Sequence, residues 1–180
     1  EFTGSTGIMA SSKTLDRDAS LQTINTTSAE TTFYTYTIPG GTLGANDEIL
    51  CTLLNEFLNN SGVNAGYRIR VKFGGSTVIV FDTGTPFATG TVRRMVVANI
   101  YVSSLAATNS QRLHLEIKHT NNAGSFGTLN TGVGALMNTG LNYLHVHSGT
   151  LTNDMTSNQT LEVTIDLSAS DANLEWVAVS

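Results

Sequence analysis

His145-Val146-His147 sets two imidazoles two residues apart, which on a β-strand places both on one face. Such a pair is a common start for a zinc site. His114 or His119, from a neighbouring strand, would add a third ligand and leave a fourth position for an activated water. The same pattern arises when a strand turns its polar residues to water and points Leu144 and Val146 inward. The second reading is preferred, because the chain names no partner that would orient a ligating imidazole. His145 and His147 remain the metal candidates, and no metal or other cofactor is expected.

Other reactive groups lead to the same place. Asp82, Glu116, Asp154 and Asp166 are scattered, whereas glycoside hydrolysis needs two carboxylates across one bond. Asp16, Asp18 and Asn153-Asp154 could enter a calcium loop, but Asx residues that build turns account for them as well. Cys51 lies among Ile49, Leu50, Leu53 and Leu54, with no histidine or cation nearby in sequence to activate it. It reads as a small buried hydrophobe. No nucleophile elbow, P-loop or dinucleotide fingerprint occurs. No catalytic residue is assigned, and the expectation is a protein that is not an enzyme.

Composition then says what must hold such residues. The chain has 180 residues, 40% of them hydrophobic, only 13% charged, and a net charge of −5. A surface so poor in charge must be made from Thr, Asn, Ser and Gly, which suits strands and turns better than a helical bundle. The longest basic run is the pair Arg93-Arg94. Nucleic acid is therefore not an expected partner, since phosphate binding needs a basic stripe. No stretch reaches the ~20 apolar residues of a membrane helix. The single cysteine forbids an internal disulfide.

Period-two alternation marks the elements. Leu21 to Asn25 reads as a short strand. In Thr31 to Ile38, Phe33, Thr35 and Thr37 share one face, and Thr32, Tyr34, Tyr36 and Ile38 the other. Residues 47–58 fit both an amphipathic helix and a strand apolar on two faces, and their strand-like neighbours favour the strand. Tyr67, Ile69, Val71 and Phe73 alternate with Arg68, Arg70 and Lys72, and Gly74-Gly75 turns the chain into a returning strand at 77–81. Val92 to Val102 is apolar on both faces, as in mid-sheet or at a subunit contact. Strands follow at 112–118, 141–147, 161–167 and 174–178. The aromatics Tyr34, Tyr36, Tyr67, Tyr101, Tyr143 and Trp176 fall mostly on inward faces, which favours core packing over a sugar platform. The expected fold is all-β: an antiparallel, jelly-roll-like β-sandwich of about 8–10 strands. Residues 21–180 form one domain. Residues 1–20 form a linker or arm, and EFTGSTG at 1–7 reads as an expression scar or the cut edge of a longer chain.

Three stretches carry a resemblance. ASLQTINTTSAETTFYTYTIPGGTLGANDEI (19–49) is similar to a pattern of virion proteins of tailed bacteriophages, with the Glu30-Thr31, Tyr34, Tyr36, Ile38-Pro39 and Leu43 positions in place. YRIRVKFGGSTV (67–78) resembles a hairpin of such proteins, and NQTLEVTIDLSASDANLEWVAV (158–179) their closing strands. The resemblance covers most of residues 15–180. It implies a spike, head-fibre or tail-fibre β-sandwich domain on the virion surface, outside the cell. Such a domain would be a homotrimer, joined to other virion proteins through a missing N-terminal part, and would decorate the particle or bind a host-surface glycan. The family supplies no catalytic motif. The long Gly/Asn-rich loop 120–140 is the expected contact, through Asn121, Asn122, Ser125, Phe126 and Asn130, with loops 59–66 and 83–90 beside it. Two other readings stay open: a monomeric carbohydrate-binding module of a secreted bacterial protein, and a metal enzyme around His145 and His147.

Overall fold

A computed structural model describes residues 15–16, 20–84, 87–119 and 143–179. Among these the chain forms β1 (Leu21–Ile24), β2 (Thr31–Ile38), β3 (Glu48–Asn59), β4 (Tyr67–Phe73), β5 (Ser76–Asp82), β6 (Arg94–Ala107), β7 (Ser110–His119), β8 (Tyr143–Leu151), β9 (Gln159–Leu167) and β10 (Leu174–Val179). A six-stranded sheet of order β1-β10-β3-β6-β7-β8 packs on a four-stranded sheet of order β2-β9-β4-β5. All pairings are antiparallel. The protein is a β-sandwich, as its alternating pattern implies.

Residues 47–58 resolve as strand. β3 lies between β10 and β6, and both neighbours satisfy its backbone groups along most of its length. Inside a sheet, the residues that would have made one helical stripe divide between two faces. Leu53 and Phe57 enter the core, while Leu50 and Leu54 leave it.

The four-stranded sheet follows its sequence pattern closely. Tyr67, Ile69, Val71 and Phe73 of β4 meet Leu161, Val163, Ile165 and Leu167 of β9 on the buried side. The outer side is a ladder of charge. Arg68 bridges Asp82 (2.6 Å) and Asp166 (3.4 Å), Arg70 bridges Asp166 (3.0 Å) and Glu30 (3.3 Å), and Lys72 bridges Glu30 (2.6 Å) and Glu162 (3.3 Å). Each such pair adds little on its own, because water screens it. Together they make a hydrated surface whose charges are answered within the chain. Asp82 and Asp166, candidate acids in the sequence, belong to this ladder. Asp154 closes a turn by accepting from the Thr156 amide (2.9 Å) and hydroxyl (2.7 Å).

β2 departs from expectation. Thr32 pairs with Thr164 and Tyr34 with Val163, so Phe33 is an extra residue in a bulge. The bulge turns Phe33 inward beside Tyr34, Tyr36 and Ile38, and leaves Thr35 and Thr37 outside. Phe33 therefore does not share a face with those threonines. Its ring meets Trp176 at 5.7 Å. Trp176, Tyr67, Phe57 and Phe87 continue this cluster through the middle of the core, with ring centroids 5.0 to 5.8 Å apart.

Candidate functional site: the outer face of the six-stranded sheet

Alternation in β3, β6, β7 and β8 decides which side chains cross the sheet together. One outward row runs Leu54–Val97–Lys118–Leu144, and Leu21 lies further along it on β1. The rows on either side add Met95 and Val177 on one, and Val146 on the other. Leu54 is 47% exposed, Met95 56% and Val146 51%. An apolar band thus crosses the face, whereas Val80 is the single large apolar side chain exposed on the strands of the opposite sheet, among the described residues. The two-sided apolar pattern of residues 92–102 has this origin. Val96, Ala98, Ile100 and Val102 are sealed in the core, and Met95, Val97 and Tyr101 lie on the open face.

Above the band the face becomes polar. Glu48, Ser103 and Arg112 share one row, and Leu50, Tyr101, His114 and Ser148 the next. Tyr101, His114, Arg112, Ser103, Glu48 and Glu116 line an open hollow of about 330 Å³. The Ser103 hydroxyl donates to Glu48 (2.6 Å), Thr52 to Asn99 (3.0 Å), and Asn99 to Glu116 (3.4 Å). His114 meets Tyr101 edge-on at 5.8 Å. Loss of hydration, then Glu116 and Glu48, push the Tyr101 phenol above its ordinary value, so it stays a hydroxyl at neutral pH. The hollow offers a ring face, carboxylate acceptors and a guanidinium donor within one shallow surface. It can hold a polar ligand by hydrogen bonds.

The histidines are arranged otherwise than expected. Leu144 and Val146 are exposed on the outer face, and His145 and His147 turn inward against Phe81, at 4.8 and 5.6 Å between rings. The expectation of outward imidazoles is thus inverted. It assumed that aliphatic residues mark the core side, but the outer face of this sheet is itself apolar. His119 Nε2 lies 3.3 Å from His145 Nε2, whereas His114 is across the sheet in the polar hollow. Among the described residues, no group of three or more His, Cys, Asp or Glu side chains could hold a metal ion. Cys51 is half-buried and packs against the core, and burial pushes its thiol up to about 11. That is the inert small hydrophobe expected.

Asn121, Asn122, Ser125, Phe126 and Asn130 lie outside the described residues. The two companion loops are held tightly to one another. Asn59 Nδ2 donates to the carbonyls of Val63 and Phe87 (2.8 Å each), and Ala65 and Phe87 exchange backbone hydrogen bonds of 3.0 Å. The apolar band has a faint signal in the sequence, the two-sided pattern of β6. The polar hollow has none, because its residues come from separate strands. No helix among the described residues is long and apolar enough to cross a membrane. No protein-family model, curated protein or solved structure matches the chain.

Proposed function

We propose that the chain is a non-enzymatic, self-associating surface domain of a phage virion, of the spike, head-fibre or tail-fibre kind its sequence resembles. The observation that carries this reading is the contrast between the two outer faces. One sheet answers its own charges in a ladder, and the other leaves an apolar band uncovered. Uncovered bands of that kind mark association surfaces. The occupant we assign is a second copy of this chain, three copies packing their six-stranded sheets about one axis. Continuity supports it: the band crosses the sheet from Leu54 on β3 over Val97 on β6 to Leu144 and Val146 on β8 as one strip. Charge supports it too. Arg93 with Glu56 and Glu175 at one end, and Lys118 with Glu116 toward the other, pair within the chain, so no charge of one sign dominates the face against a second copy.

The polar hollow beside the band is the contact assigned to a host-surface glycan, whose hydroxyls could both donate to Glu48 and Glu116 and accept from Arg112. Other virion proteins would be reached through an N-terminal part. A second reading, a monomeric carbohydrate-binding module, draws on the same hollow. Light scattering behind size exclusion tests the choice. The expected mass is near three times 19.1 kDa, falling to one chain in Leu54→Asp with the thermal transition retained. A wild-type chain that stays monomeric at high concentration overturns the self-association reading. Glycan binding by that monomer would move the assignment to the module.

A further inference from the structure

The inward histidines sit in a cluster that the proposed association does not use. His119, at the end of β7, is 4% exposed. Its Nε2 faces His145 Nε2 of edge strand β8 at 3.3 Å, and the rings lie within 12° of parallel. Around it, β4 contributes Tyr67 (rings 6.5 Å apart) and the chain beyond β5 contributes Phe87 (5.4 Å). β6 contributes Arg94, whose guanidinium lies 5.0 Å over Phe87, and β8 contributes His145 and, further along, His147. β5 packs Phe81 on both of the last two. Among the described residues, the charged or titratable groups set around the pair include Arg94, Tyr67 and, beside His145, His147.

A hydrogen bond between two Nε2 atoms needs one protonated and one bare nitrogen, so at least one ring is neutral, and burial near Arg94 keeps the other neutral as well at rest. A second proton removes the acceptor. Either proton adds positive charge to a buried space that already contains Arg94. β8 is the strand with most to lose, since it hydrogen-bonds to β7 alone on one side and lies at the sheet edge.

We propose that the His119–His145 pair is an acid-sensitive latch on β8: two neutral imidazoles tie the edge strand to β7 against Phe81, and in mildly acidic water the released strand gains population, because its freed imidazoles accept protons that the buried space beside Arg94 refuses. The outer side of β8 carries Leu144 and Val146 of the apolar band, so release also dismantles one end of the association face. That consequence rests on the proposed self-association, while the latch does not.

The sign follows from burial. Loss of hydration first, then His145 and Arg94, lower the His119 imidazole to about 3, and burial followed by His147 lowers His145. A lowered imidazole leaves stability intact above the unfolded value of about 6.5 and erodes it as pH falls toward the folded one. Carboxylates held low in the fold, among them Glu30, Asp82 and Asp154, erode stability only below about 4.5, so the interval from pH 6.5 to 5 belongs to the histidines.

Hydrogen exchange by mass spectrometry on the full chain, at pH 7.5 and 5.0 and corrected for intrinsic rates, tests the latch. Protection of residues 143–151 is expected to fall by about 30-fold in the wild type, from the His119 shift, while central β3 changes little. In His119→Phe the fall should shrink to the smaller part that the half-buried His145 contributes. Should that variant not fold, the more conservative His119→Gln, which also removes the buried imidazole, is read in the same way. Unchanged protection in the wild type overturns the latch, as does an equal fall in β3 or an undiminished fall in the folded variant. Light scattering on the same samples reports separately on association.

Discussion

Asn59 offers the sharpest check on how loops 59–66 and 83–90 are held together. Its side chain is fully buried at the end of β3. The amide nitrogen donates to the carbonyls of Val63 and Phe87 at 2.8 Å each, and the amide oxygen accepts from the Ser61 amide (3.2 Å) and hydroxyl (2.7 Å). Asn59→Ala removes all four at once. At about 1 kcal/mol net for each bond, the gross loss is about 4 kcal/mol. The carbonyls are not wholly abandoned, because Phe87 still accepts from Ala65 (3.0 Å) and Val63 from Ser61 Oγ (3.3 Å). The expected cost is therefore about 2–3 kcal/mol, or a fall in Tm of roughly 5–10 °C for a chain of this size. Asn59→Asp should be worse than alanine at pH 7, since it places a carboxylate against two carbonyl oxygens it can no longer serve as donor. Its deficit should narrow toward pH 4.5 as the acid protonates. Asn60→Ala, at an exposed neighbour, should stay within about 0.5 kcal/mol of wild type. Thermal and denaturant unfolding read all three. An alanine variant within about 0.5 kcal/mol of wild type, or an aspartate milder than alanine, would refute the reasoning.

Two further outcomes follow from the packing. With the Cys51 thiol pushed up to about 11, alkylation at pH 7.5 should run about 300-fold slower than for an ordinary thiol of ~8.5, and should recover in denaturant; a rate within tenfold of a free thiol would contradict the burial. Gly149 lies where β8 passes β5: a β-carbon there would sit 2.6 Å from Val78 Cγ1 and 3.2 Å from the Val78 carbonyl. Gly149→Ala should therefore cost ~1–2 kcal/mol, part of it recovered by adding Val78→Ala, as a double-mutant cycle in denaturant would show.

The strands of this protein are written in its sequence wherever one face is apolar and the other polar. Tyr67–Phe73, residues 112–118 and residues 161–167 alternate strictly, and that pattern is incompatible with a stable helix. Charge poverty and turn residues carried the fold class as far as an all-β sandwich. Where both faces are apolar, the pattern loses its direction. Residues 47–58 became a strand because β10 and β6 flank them and answer their backbone groups, contacts more than 35 residues away on either side. The inward turn of Phe33 comes from one unpaired residue in register with β9, which no local periodicity records. His145 and His147 were assigned to the wrong face for a related reason. Leu144 and Val146 are apolar, but period two says only that they share a side, not whether that side is the core or an outer band. The Tyr101–His114–Arg112 hollow is further still from the sequence, being assembled by register across β3, β6 and β7. Sequence alone determined which residues travel together along each strand. Tertiary structure decided which strands lie side by side and which side meets water, because those choices rest on hydrogen bonds and burial between segments remote in the chain.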